Sequence, residues 1–260
     1  MSTPLSPGRR AALAIGVPII AASVAWTGVG FAALAGRTTV TTTASYDVLG
    51  QHLSVSANDG DVAVRPSPDA QVHVTTTLRY GLHEPVVTRT LDATGLRVDG
   101  KCRWFEDHCS VNFEIAVPAG FAIDVSASGG DVRATGLNGD ARLSSSGGDV
   151  SVSAMSGNLT LDSGGGDVRA TRLTSPHVLA TSSGGDVEVR FSSAPVAVDA
   201  RSSGGDVGVH VPGGDSYRIQ TSSSGGDVHM SVPRNDLAER SLTAQSSGGD
   251  VTMAPDGDAG

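Results

Sequence analysis

Lysine is almost missing from this chain: Lys101 is the only one in 260 residues, leaving 18 − 1 = 17 arginines. Aromatic residues make up 4%, and there are two cysteines. Acid outnumbers base, 27 to 18, for a formal charge of −9. Residues 1–37 hold Arg9, Arg10 and Arg37 and no acid, so the remainder carries 15 − 27 = −12. That excludes a nucleic-acid binder driven by phosphate neutralisation and argues against a basic membrane-surface module.

Catalytic signatures are also missing. The seven histidines, His52, His73, His83, His108, His177, His210 and His229, form no paired metal motif. His73 and His229 fall at outward positions of alternating runs and read as solvated. No G-x-S-x-G elbow is present, no P-loop surrounds Lys101, and the glycine pairs lack dinucleotide-binding spacing. The enzymatic option is a polysaccharide-cleaving β-helix using paired carboxylates. The aspartates here are periodic and equivalent, whereas a catalytic pair would break the repeat. Aromatics that could stack on sugars are few: Trp104, Phe105, Phe113, Phe121, Phe191 and Tyr217. The expectation is a non-enzymatic protein with no catalytic residues and no cofactor.

What is present begins with residues 11–36, 26 residues without a charge. About 20 apolar residues span a bilayer, and Gly and Pro are tolerated there. Arg9 and Arg10 precede the run and Arg37 follows, which favours a cytoplasmic N-terminus. Ala33-Leu34-Ala35 offers a small-x-small cleavage site, but a signal-peptide core is usually about 7–15 residues. A retained anchor is therefore favoured over a cleaved signal. Either way, residues beyond about 40 lie outside the cytoplasm. There, Cys102 and Cys109 are most simply a disulfide closing a short loop. Strand-like runs at Gly95–Val98 and Ser110–Ile115 flank it, so the bridge would staple a hairpin tip. A metal site with His108 would lack a ligand.

Gly-Gly-Asp-Val recurs. Its aspartates are Asp131, Asp149, Asp167, Asp186, Asp206, Asp227 and Asp250, spaced 18, 18, 19, 20, 21 and 23 residues apart. Asp59-Gly60-Asp61-Val62 is a degenerate copy. After each Asp the chain alternates: Val132/Ala134, Val150/Val152, Val168/Ala170, Val187/Val189, Val207/Val209, Val228/Met230 and Val251/Met253 point one way, which is a half-buried strand. A second alternation follows at Ala141/Leu143, Leu159/Leu161, Val178/Ala180, Val196/Val198, Tyr217/Ile219 and Leu242/Ala244. Between the two lies one apolar residue, Leu137, Met155, Leu173, Phe191, Val211 or Val232. It comes six residues after the Asp in the first three copies and five after it in the next three, and reads as a corner plug. Such a unit cannot bury its own apolar face. The stable solution is a parallel β-solenoid, each strand pairing with its equivalent one coil later. Seven rungs about 4.8 Å apart make a rod roughly 30 Å long.

The Ser-Ser-Gly-Gly-Asp corner suits a tight turn. Gly supplies φ > 0 and avoids collision with the next coil, while Ser and Asp bond nearby backbone. Seven stacked carboxylates repel unless they splay into water or are neutralised. Arg133, Arg169, Arg190 and Arg201 are candidate neutralisers. The alternative is calcium along the Asp131-to-Asp250 ladder, although the calcium β-roll repeat has an intervening G-x that is absent here.

Residues 44–125 hold longer alternating runs, including Leu53–Val55, Ala70–Leu78, Leu96–Val98 and Phe113–Val117, and no helical period. They form either wider first coils or a capping sheet. The order Asp-Gly-Asp-Val-x-Val, Cys…Cys, Val117-Pro118-Ala119-Gly120, then repeated Ser-Gly-Gly-Asp-Val resembles the bacterial “putative adhesin”, β-strand-repeat domain family of unknown function. The similarity covers about residues 45–254 and implies a parallel β-solenoid on a cell envelope. The expected organisation is a cytoplasmic tail (1–10), a transmembrane helix (11–36), a linker (37–44), an N-terminal β region (45–125), solenoid repeats (126–254) and a polar tail (255–260). Expected partners are the membrane through residues 11–36, a cell-wall polymer or envelope protein, and a second copy through the solenoid ends.

Overall fold

The computed structural model describes residues 38–102 and 109–256. The expected tail and transmembrane helix (1–36) lie outside the described residues, as do residues 103–108 and 257–260. The first part contributes β1 (Thr38–Tyr46), β2 (His52–Ala57), β3 (Val62–Pro66), β4 (Val72–Tyr80), β5 (Val86–Leu91), β6 (Gly95–Lys101) and β7 (Ser110–Val117). The repeats give β8 (Ala122–Ala127), β9 (Val132–Thr135), β10 (Ala141–Ser145), β11 (Val150–Ser153), β12 (Leu159–Ser163), β13 (Val168–Leu173) and β14 (His177–Ser182). They continue through β15 (Val187–Phe191), β16 (Ala197–Ser202), β17 (Val207–Val211), β18 (Arg218–Ser223), β19 (Val228–Met230), β20 (Ser241–Ser246) and β21 (Val251–Pro255).

The strands make two facing sheets, of eleven and ten strands. Each coil places one strand in the ten-stranded sheet, turns at the Gly-Gly-Asp corner, and places the next in the eleven-stranded sheet. From β8 to β15 every strand pairs in parallel with its equivalent one coil later. The inward column Val132, Val150, Val168, Val187, Val207 and Val251 is 0–1% exposed. The plugs Leu137, Met155, Leu173, Phe191, Val211 and Val232 are all buried. Their shift from six to five residues after the Asp has a backbone cause. Gly136, Ala154 and Arg172, at the fifth position of the first three copies, have φ of 68°, 54° and 54°. They form a left-handed bulge that inserts one residue, and the register breaks between Ala170 and Leu173 to put Leu173 opposite Phe191.

The first part continues the coils. β2–β3 and β6–β7 are two more rungs, pairing in parallel within the same two sheets. β4 and β1 then add antiparallel to one sheet and β5 to the other, leaving β1 and β5 as the edge strands of that end. Cys102 and Cys109 are joined by a disulfide. It does not staple a hairpin: β6 and β7 lie in different sheets, and the bridge sits at the corner where other coils carry Gly-Gly-Asp.

Stacking in chain order fails at both ends. The β2–β3 coil lies between β6–β7 and β8–β9, and the last coil, β20–β21, lies between β16–β17 and β18–β19. Ile219 and Thr221 align with Leu242 and Ala244, so the two final coils compete for one berth. The berth requires full burial; Ala244 is 0% exposed there. Thr221 in that position would bury a hydroxyl, so its coil goes outermost. Three expected inward pairs differ in the structure. Val196 is 45% exposed; the inward pair is Val198/Ala200, opposite Val178/Ala180. Tyr217 is buried but precedes β18, where Ile219/Thr221 is the inward pair. Val228 and Met230, expected inside, are 43% and 46% exposed because no coil covers them.

Candidate functional site

The recurring corner is built from three side-chain positions. The first is the last inward residue of each ten-stranded-sheet strand. Ser145 Oγ donates to Gly130 O at 2.8 Å and accepts the Gly148 N–H at 2.9 Å. Ser163, Ser182, Ser202, Ser246 and Ser223 repeat this bridge to the neighbouring coil. Two earlier coils carry buried Ala57 and Ala127 at this position, which cannot make the bridge.

The second is the second glycine. None of the glycines in the repeated Gly-Gly-Asp-Val corners has positive φ, so the expected left-handed conformation is not why glycine is there. The cause is proximity: a Cβ on Gly148 would lie 2.5 Å from Gly130 O and 2.8 Å from Asp131 Oδ1. The first glycine, Gly147, has nothing closer than 3.6 Å.

The third is the aspartate. The backbone N–H of Asp131 donates to Asp61 Oδ1 at 3.0 Å, that of Asp149 to Asp131, and that of Asp167 to Asp149. Asp186, Asp206, Asp250 and Asp227 continue the series. It begins at Asn112, whose Oδ1 accepts the Asp61 N–H at 3.2 Å. The final pair again follows spatial order, Asp250 before Asp227. The expected arginine neutralisers go elsewhere: Arg169 and Arg190 pair with Glu188, Arg201 with Asp199, and Arg133 bonds Ser151. Backbone N–H dipoles face the ladder carboxylates instead. Among the described residues no group of three His, Cys, Asp or Glu is placed to hold a metal ion.

A shallow depression of about 300 Å³ runs along the eleven-stranded sheet, lined by Arg169, Glu188, Gly208, His210 and Thr252. It opens because Gly208 has no side chain in an outward row. Burial raises the Glu188 pKa, but hydrogen bonds from Arg190 and Arg169 outweigh it and hold the group below its ordinary value. Burial and the Arg190 charge lower the His210 pKa. Outside this face, His73 is not merely solvated: it bonds Ser45 Oγ at 2.8 Å and Asp69 Oδ1 at 2.9 Å.

The arrangement is therefore scaffolding along its length and differs at its two ends. β1 and β5 are the edge strands of the near end, each antiparallel to its neighbour, and β18 and β19 are the edge strands of the far end, each parallel to its neighbour. A family profile, Toastrack DUF4097, matches residues 50–256 of this chain.

The chain belongs to the Toastrack DUF4097 family.

The matched span runs from just before β2 to just past β21, so it takes in every coil. Solved structures similar to this Toastrack chain include a putative lipid binding protein from Parabacteroides distasonis, 12% identical over 84% of this chain and 96% of that one, with a TM-score of 0.49. A putative adhesin from Bacteroides fragilis is 15% identical over 84% and 97%, with a TM-score of 0.44. A putative adhesin from Parabacteroides merdae is 13% identical over 83% and 95%, with a TM-score of 0.42. No curated protein matches the chain.

Proposed function

We propose that this Toastrack chain is a non-enzymatic, adhesin-like protein of the bacterial cell envelope. Residues 11–36 anchor it in the membrane with the N-terminus cytoplasmic. The β-rod outside is a rigid interaction module. The observation that carries the reading is the contrast between the ends. The end where the chain enters finishes on antiparallel edge strands, β1 and β5, while the far end finishes on a parallel edge strand, β19, that leaves apolar Val228 and Met230 half-exposed. Ten strand spacings of about 4.8 Å separate β1 from β19, roughly 50 Å. An open edge is a template for pairing, so the partner would be a cell-wall polymer, another envelope protein or a second copy.

The test has two arms. Alkaline carbonate extraction of cells expressing the full chain should leave it in the membrane. A phosphatase fused after residue 260 should be active only outside the cytoplasm. Release by carbonate, or an inactive fusion, overturns the placement. Sedimentation of the detergent-solubilised chain, compared with a Met230→Glu variant, tests self-association: a monomer at all concentrations in both removes the second copy from the partners.

A further inference from the structure

We propose that the near end of the rod rests on the bilayer, with Leu82 and Val86 in the headgroup layer. This inference builds on the anchor reading above. A single residue, Arg37, separates the uncharged run 11–36 from the first residue of β1, Thr38. One extended residue reaches at most about 3.6 Å. The headgroup region adds about 5–7 Å to each side of the hydrocarbon core. A run ending at Gly36 therefore leaves Thr38 at headgroup depth.

The topology then decides what accompanies Thr38. Thr38 pairs with Tyr80, and β4 passes directly into the 81–85 loop. Leu82 in that loop is 91% exposed, and Val86, which follows it, is 57% exposed. Val86 pairs with Lys101, next to the Cys102–Cys109 bridge that ties β6 to β7 at this corner. Among the described residues nine large apolar side chains are exposed; Leu82 and Val86 lie at the Thr38 side of this end, and Leu49 and Leu91 at its opposite side. Apolar residues scattered singly on a surface need no explanation; Leu82 and Val86 follow β4 at the end that pairs with Thr38, where the chain enters. Tyr80 suits the water–lipid boundary. Arg79 and Lys101 are exposed beside it, and long basic side chains can reach phosphates from such a position. Seated this way, the rod holds its open far end away from the membrane.

The experiment uses the full chain in phosphatidylcholine vesicles, with lipids brominated on the acyl chains near the headgroup. Tryptophan is introduced as Leu82→Trp, or as Leu237→Trp at the far end, with Trp26→Phe and Trp104→Phe. Loss of Leu82→Trp emission with Leu237→Trp unquenched is the expected result. Neither quenched while the protein floats with the vesicles overturns the seat and leaves the anchor standing. Both quenched overturns the seat, because the rod then lies flat. Protein that does not float overturns the anchor reading itself. Hydrogen exchange of the unsubstituted chain gives an independent reading. Amides of 81–84 should exchange more slowly in vesicles than those of the exposed Gly213–Gly214 turn, and equal rates overturn the seat.

Discussion

The Oδ1 of Asp167 accepts the backbone N–H of Asp186 at 2.9 Å, and the same bond recurs along the whole corner. Two exposed like charges about 5 Å apart in water repel by roughly 0.8 kcal/mol. A hydrogen bond to a charged group contributes about 1.5–3 kcal/mol. The bond outweighs the repulsion, so the stacked carboxylates hold the coils together.

That balance makes a prediction at Asp167. Asp167→Ala leaves the Asp186 N–H without its acceptor and should cost about 1–2 kcal/mol in urea unfolding. Asp167→Asn keeps the oxygen and should cost less than half as much, as Asn112 does the same job at the head of the series. Equal losses for the two variants would mean that the acceptor is not what matters.

The two glycines of one corner should respond oppositely. Gly148→Ala drives a Cβ into Gly130 O and Asp131 Oδ1 and should lose more than about 2 kcal/mol. Gly147→Ala puts its Cβ at ordinary van der Waals distance, 3.6 Å from Ser128 O, and should be neutral or gain up to about 1 kcal/mol through a stiffer unfolded chain. Thermal melts of both variants check this.

The inverted order of the last two coils is tested by one pair of substitutions. Ala244→Thr places a hydroxyl in the filled berth and should cost about 1–3 kcal/mol, whereas Thr221→Ala should be close to neutral. In a rod stacked in chain order, Thr221 would be the buried residue and the two effects would exchange.

Calcium should leave the melting temperature unchanged relative to chelator. The carboxylates of Asp61, Asp131, Asp149, Asp167, Asp186, Asp206 and Asp250 each already take a backbone N–H on one oxygen. A clear rise in calcium that disappears in Asp167→Asn would restore the calcium ladder as the working description of the corner.

His210 gives the rod a mild acid sensitivity. Burial, and then the Arg190 charge, lower its pKa in the folded chain. As pH falls through the unfolded value of about 6.5, the unfolded chain takes up the proton first, so stability contributed above that pH is lost. The melting temperature should fall between pH 7.5 and 5.5 by more in the parent than in His210→Asn; parallel curves would remove His210 as the cause.

Much of this was legible in the residues. Gly-Gly-Asp-Val at seven positions fixed the corner, and the alternation Val150/Val152 or Leu159/Leu161 fixed which faces are buried, because a coil cannot hide its own apolar side. The six-to-five drift of the plugs, Leu173 against Phe191, was visible as a number; only the positive φ of Arg172 explains it. The misread pairs, Val196/Val198 and Tyr217/Ile219, have one thing in common: an extra apolar residue precedes the strand, so period two alone fits two frames. The cross-coil pairing of Val178 with Val198 selects the frame.

By itself, then, the sequence determined local matters: corners, strand faces, the buried valine column and the apolar run before Thr38. Each follows from how one residue and its near neighbours partition between water and an apolar surface. The tertiary structure alone decided which coil lies against which, why the second glycine admits no Cβ, and what the aspartates bond. Those depend on contacts 18 to 70 residues apart along the chain. Near-identical coils compete for them, and the winner is set by small differences in burial such as Thr221 against Ala244.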